Sequence, residues 1–244
     1  MAQFTGTHVL ITGGGSGIGL ATAKLFLQAG AGVAIAGRNK QKLDESAQQL
    51  GGGDRLICHA ADIADPEQAK SLVQAVEKKF GKIDILVNSA GTNIKDRTFR
   101  QLTPEVWQKL IRTNLDGAFY CIHAVFPGML ARKNGLIINI NSIAGKRATP
   151  LGGLAYAASK FGMTALGIGL GAEEKDSGIR VTNIYPGEVD TPILEFRPTP
   201  VTDEHRERIL RPEDIAGAVL YVAAQPPHVS IPELIIKPTS QAYV

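Results

Sequence analysis

"THVLITGGGSGIGLATAKLFLQ", residues Thr7 to Gln28, changes its hydrophobic rhythm twice within one short stretch. "THVLIT" is apolar without alternation, which suits a strand covered on both faces. From Gly17 to Ala29 the apolar residues Ile18, Ala21, Leu25 and Phe26 recur at helical spacing. Between them lies "TGGGSGIG", Thr12 to Gly19. Glycines there let the backbone turn tightly and approach a phosphate, whose charge free N–H groups and the helix dipole would stabilise. Gly13, Gly15, Ser16, Gly17, Ile18 and Gly19 are therefore candidate pyrophosphate contacts. The spacing Gly13-x-x-x-Gly17-x-Gly19 departs from G-x-G-x-x-G, so the strand before and the helix after carry the reading.

The same alternation continues along the chain. "AGVAIAG", "RLICHA", "KIDILVN", "GLIINI", "GIRVTNIY" and "PELIIK" read as six further strands. A helix is expected from about Asn39 to Gln49, and another from an Asp65 cap and Pro66 to Phe80; Thr103 and Pro104 repeat that device. The pattern predicts one α/β domain over residues 1–244: a Rossmann-like, doubly wound parallel sheet of about seven strands with helices on both faces. Such sheets bind ligands beyond the C-terminal ends of their strands.

Composition narrows the function classes. The chain has 244 residues, 44% of them hydrophobic, enough for a large core. Its 26 Lys+Arg against 23 Asp+Glu leave a net charge of +3 without a basic block, which argues against nucleic acid. No apolar run approaches the ~20 residues of a membrane span, and the N-terminus runs straight into a strand rather than a signal peptide, so a cytoplasmic protein is expected. Cys58 and Cys121, beside His59 and His123, lack the paired spacing of a zinc site; they read as buried thiols, and no metal is expected.

Several strand ends carry ligand chemistry. An acid at the end of the second strand commonly holds the ribose 2′-hydroxyl of NAD. Here that strand ends in Gly37 and Arg38, and Arg38 can pair with a 2′-phosphate, so NADP(H) is the preferred cofactor and NAD(H) the alternative. Asp62, followed by Ile63, could accept from the adenine amino group. In "NSAG", the Asn88 amide can brace neighbouring strands while Ala90 and Gly91 leave room for the cofactor.

"LAYAASKFGM" places Tyr156 and Lys160 on one helical face. Neither titrates near neutrality unless its pKa is shifted, and an ammonium beside a phenol favours the phenolate. Ser142 closes the fifth strand 14 residues before Tyr156. It can hydrogen-bond a substrate oxygen to which the tyrosine passes a proton, while Lys160 lowers the tyrosine pKa and holds the nicotinamide ribose.

With "TGGGSGIG", "NSAG", Ser142, "YAASK" and "PGEVDT" in this order and spacing, the chain resembles the short-chain dehydrogenase/reductase family over nearly its whole length. The resemblance implies hydride transfer between nicotinamide and a carbonyl or secondary alcohol of a small molecule, in the carbonyl-reduction direction. It makes Ser142, Tyr156 and Lys160 the catalytic triad and Asn114 the holder of a relay water. It also brings Pro186, Gly187, Val189 and Thr191 against the nicotinamide and places a substrate lid at about 188–211. Arg147 and Arg197 are candidates to select a carboxylate, against the simpler reading of solvated arginines. The active-site helix also contains Gly162, Gly167, Gly169 and Gly171, each costly in a helix interior. Family members commonly pair this helix and the one holding Asn114 across a two-fold axis, so a homodimer or homotetramer is expected. The rival reading is a catalytically silent, cofactor-binding regulator of the same fold.

Overall fold

A computed structural model describes residues 3–242. Seven strands, β1 (His8–Thr12), β2 (Gly32–Gly37), β3 (Leu56–Ala60), β4 (Ile85–Asn88), β5 (Gly135–Ile140), β6 (Ile179–Pro186) and β7 (Glu233–Ile236), form one sheet in the order β3-β2-β1-β4-β5-β6-β7. Every pairing is parallel. The order reverses between β1 and β4, which opens a crevice at their C-terminal ends.

Helices cover both faces: α1 (Gly17–Gln28), α2 (Lys40–Leu50), α3 (Pro66–Phe80), α4 (Pro104–Ile111), α5 (Gly117–Arg132), α6 (Leu154–Glu173), α7 (Asp203–Arg206) and α8 (Pro212–Ala223). The strands alternate between two cores. Val9, Ile11, Val33, Ile35, Leu136 and Ile138 point to one side with Phe26, Ile215 and Val219; Leu10, Ala34 and Ile137 point to the other with Leu72, Val76, Cys121 and Val125. Unbroken apolar runs follow from this two-sided burial. In α1 the buried set is Gly19, Ala21, Thr22, Ala23, Phe26 and Leu27, with Ile18 and Leu25 only partly covered. The single face expected from periodicity is wider because α1 packs on α8 as well as on the sheet.

The expected caps form: Asp65 accepts from Glu67 and Gln68 N–H ahead of Pro66, and Thr103 accepts from Val106 N–H ahead of Pro104. Asn39, expected at the start of the second helix, instead caps α2 by accepting from Lys42 N–H. Cys58 and Cys121 are free thiols; Cys121 is fully buried, and its pKa is pushed up to about 12 by desolvation, whereas Cys58 is only partly covered.

The glycines of α6 largely serve this chain's own packing. A Cβ at Gly162 would lie 2.6 Å from the Leu115 side chain, one at Gly167 2.4 Å from Asn183, and one at Gly171 3.6 Å from Val181. Only Gly169, among these four, faces open space. Exposed apolar side chains, Phe119 on α5 and Phe161 and Ile168 on α6, lie on the outer surface of these helices. Among the described residues no helix is long and apolar enough to cross a membrane.

Candidate active site

A cavity of about 820 Å³ opens over the C-terminal ends of the strands. One end is the glycine turn after β1. Gly13 has φ +67°, and a Cβ there would sit 2.8 Å from the Ala90 backbone; a Cβ at Gly19 would sit 2.4 Å from the Gly13 carbonyl oxygen. Only glycine permits this fold of the turn on itself. Thr12 Oγ1 accepts from Ser89 and Ala90 N–H at 3.1 and 3.2 Å, tying the loop after β4 to the turn. Ser16 stands at the N-cap of α1, yet its side chain makes no capping hydrogen bond. The first N–H groups of α1 are thus left without a side-chain acceptor, the arrangement that a pyrophosphate requires.

Gly13, Ser16, Gly17, Ile18, Arg38, Ala90, Gly91, Tyr156, Lys160, Pro186, Gly187, Val189 and Thr191 line the cavity, as does Ser142. The other sequence candidates are not part of that lining. Gly15 packs on Leu43, and Gly19 lies under the turn. Ile63 is buried beneath the start of α5, where a Cβ at Gly117 would touch it at 2.8 Å. Asp62 accepts from Ala64 N–H at 3.1 Å just beyond β3. Asn88 is wholly inside the sheet and donates to Asn139 Oδ1 at 3.0 Å, and Asn139 donates in turn to Asn183 at 3.0 Å. This buried amide ladder is the brace expected of Asn88, extended across three strands.

Ser142 follows β5 in extended backbone, and its Oγ accepts from Ala144 N–H at 3.1 Å, which orients the hydroxyl at the cavity floor. Tyr156 lies in the first turn of α6. Burial pushes its phenol above the usual tyrosine range, while a hydrogen bond with Ser142 and the positive charge of Arg97 pull it back. Lys160 is 3% exposed, and desolvation lowers its pKa to about 8. Its ammonium donates to the Ile140 carbonyl at 2.9 Å and lies 5.7 Å from the Tyr156 ring centroid. The net shift of the phenol is upward, with Ser142 and Arg97 opposing burial. The ammonium of Lys160 is directed at the end of β5.

Asn114 is fully buried in a π-helical turn, Arg112–Asp116, that joins α4 to α5. Such insertions interrupt the i→i+4 ladder and recur at functional sites. Its Oδ1 accepts from Thr92 N–H at 2.8 Å, and its Nδ2 donates to the Thr92 carbonyl at 3.0 Å and to Ser159 Oγ at 3.1 Å. A Cβ at Gly91 would be 3.6 Å from Asn114 Oδ1 and 3.8 Å from Lys160 Nζ, so Gly91 keeps the space between them open.

Lys42, Gln241 and Arg97 are among the lining residues that sequence reasoning missed. Lys42, in the first turn of α2, lies near Arg38 on the cavity wall; its signal was the repeated cation in "AGRNKQK". Gln241 reaches in from the C-terminal tail, accepting from Glu188 N–H at 3.0 Å. Arg97, 6% exposed, had no distinguishing signal among Lys95, Asp96 and Arg100. Arg197, a candidate for substrate charge, instead pairs with Glu188 at 3.1 Å, and His205 meets the same carboxylate at 2.5 Å.

A family model described as short chain dehydrogenase matches residues 7–200. An uncharacterised oxidoreductase of Staphylococcus aureus (strain MW2) is 37% identical over 238 residues, which are 98% of this chain and 100% of that protein. Among solved structures, the closed form of a serine dehydrogenase complexed with NADP+ superposes with a TM-score of 0.88 at 32% identity, covering 97% of each chain. An actinorhodin polyketide ketoreductase with NADPH does so with a TM-score of 0.86 at 30% identity, again covering 97% of each.

Proposed function

The chain belongs to the short-chain dehydrogenase family, and on that footing we propose that it is an NADP(H)-dependent oxidoreductase that reduces a carbonyl group of a small molecule. The observation that carries this reading is the convergence of Ser142, Tyr156 and Lys160 on the wall of one cavity whose far end is the glycine turn. Both the serine dehydrogenase and the ketoreductase named above were solved with NADP+ or NADPH, which supports the cofactor assignment.

The turn from Gly13 to Gly19 would hold the pyrophosphate, Arg38 with Lys42 the 2′-phosphate, Asp62 the adenine, and the Pro186–Thr191 segment the nicotinamide. Bound there, NADPH supplies a hydride to the carbonyl carbon. Ser142 would hold the carbonyl oxygen by a hydrogen bond, and Tyr156 would deliver the proton to that oxygen. Lys160, whose ammonium is buried at the floor, would hold the ribose hydroxyls and stabilise the phenolate that remains. Asn114 would hold the relay water through which the proton is replaced, in the space that Gly91 leaves open between Asn114 and Lys160.

The segment from Glu188 to Arg211 is proposed as the substrate lid. Its ends are zipped, Asp190 N–H to the Leu210 carbonyl at 2.7 Å and Leu210 N–H to the Glu188 carbonyl at 3.0 Å, so it leaves the body and returns at one place. We further propose a cytoplasmic homodimer or homotetramer that covers the exposed faces of α5 and α6. The test of the central reading is loss of NADPH absorbance with a panel of ketones and aldehydes. Tight NADPH binding without turnover of any carbonyl would instead favour a silent regulator.

A further inference from the structure

We propose that the substrate carries a carboxylate and that Arg97 receives it; this rests on the reductase reading and names its substrate class. Arg97 lies in the loop between β4 and α4, lines the same cavity as Ser142 and Tyr156, and is 6% exposed. Its Nε donates to the Ile94 carbonyl at 2.8 Å, Nη1 to the Leu151 carbonyl at 2.6 Å and Nη2 to the Phe196 carbonyl. A guanidinium has five N–H donors, so one remains on each terminal nitrogen, the pair that grips a carboxylate in a fork.

No carboxylate pairs with Arg97 among the described residues. Burying a cation without a counter-ion is unfavourable, and carbonyl dipoles compensate only part of the lost hydration. Of the two acids in the cavity wall, Glu188 is bound by Arg197 and His205, and Glu195 is exposed. Burial, and after it the like charge of Arg197, lowers the pKa of Arg97 from its ordinary value. An anion arriving here would meet two guanidinium groups, with Glu188 neutralised and Glu195, the other lining acid, turned to solvent.

The chain makes room for this arginine. Gly153, at φ +82° before α6, would place a Cβ 2.7 Å from Arg97 Cβ, 3.0 Å from Cγ and 3.1 Å from Cδ. The glycine thus lets the arginine stem cross under the first turn of the helix that bears Tyr156. The guanidinium is close enough to that tyrosine for its charge to favour the phenolate. A substrate anchored on Arg97 would therefore lie beside the proton donor, on the opposite side of the cavity from the glycine turn.

The experiment uses the full chain with NADPH and matched pairs: 2-, 3- and 4-oxo acids of three to seven carbons, each against its own amide. The wild type should favour the acid of the best pair by roughly 10- to 100-fold in kcat/KM, the worth of a charge-assisted hydrogen-bond pair. Arg97→Met should remove that preference, lowering kcat/KM for the acid by roughly 10- to 100-fold more than for its amide. Because Arg97 also ties three segments together, the variant is checked for NADPH fluorescence enhancement and far-ultraviolet circular dichroism. A misfolded variant leaves the decision with the wild type, where equal turnover of acid and amide would overturn the proposal and leave the reductase reading standing. Should no carbonyl be turned over, the reductase reading falls, and the proposal is decided by thermal stabilisation of the NADP+-loaded wild type. The corresponding hydroxy acids should raise its melting temperature where their amides do not, and equal effects would overturn it.

Discussion

Replacing Lys160 by methionine should make the cofactor-free protein more stable at neutral pH while abolishing turnover. The ammonium is 3% exposed, with one strong acceptor, the Ile140 carbonyl at 2.9 Å, and a weak one in Met163 Sδ at 3.9 Å. Burial lowers its pKa from the ordinary 10.5 to about 8. The unfolded chain retains the ordinary value, so between those two pH values the unfolded state binds a proton that the folded state has lost. Stability must then rise with pH through that window, and below pH 8 the full penalty of burying the charge is present. That penalty corresponds to ~3 kcal/mol at pH 7. Methionine removes it but leaves the Ile140 carbonyl without its donor, a loss of ~1–2 kcal/mol. The variant should gain about 1–2 kcal/mol at pH 7 by difference, and the gain should shrink by ~2 kcal/mol on going to pH 9.5. Urea unfolding of both proteins across this range, with a shared m-value, measures the difference directly. A difference that does not change with pH would refute the reasoning, because it would mean that Lys160 is hydrated or paired in the folded protein.

Further outcomes follow from the cavity. Tyr156→Phe should lower kcat by more than the ~10²–10⁴ usual for acid–base catalysis, with NADPH affinity changed little; more than a tenth of wild-type turnover would remove Tyr156 from the proton route. Gly37→Asp with Arg38→Leu should shift cofactor preference toward NADH by about 10- to 100-fold in kcat/KM, since a charged hydrogen bond is lost and a repulsive acid gained. Gly13→Ala should abolish cofactor binding as measured by NADPH fluorescence, because its Cβ would lie 2.8 Å from the Ala90 backbone at φ +67°. Gly169→Ala tests assembly: with open space around it, alanine should stabilise a lone subunit by ~1 kcal/mol, whereas a neighbouring subunit packed there would make the change weaken association in sedimentation.

Much of this protein is local, and local information is legible in a sequence. The strand–glycine–helix junction from Thr7 to Gln28, the Pro66 and Pro104 starts with their caps, and the seven apolar runs each announce themselves through nearest-neighbour sterics and periodicity. So do Tyr156 and Lys160, whose spacing puts them on one helical face before any tertiary contact forms. What the sequence could not disclose depends on residues far apart along the chain. Leu115 and Asn183 account for Gly162 and Gly167, which periodicity alone assigns to no neighbour. Asn88, Asn139 and Asn183 become a ladder only when β4, β5 and β6 stand side by side. The charges around the cavity were likewise settled in three dimensions. Burial and a distant carbonyl set the state of Lys160, Glu188 claims Arg197, and Arg97 gains its place beside Tyr156 because Gly153 lets its stem pass. Desolvation and charge pairing are properties of an enclosed volume, and that volume exists only once the segments that wall it have come together.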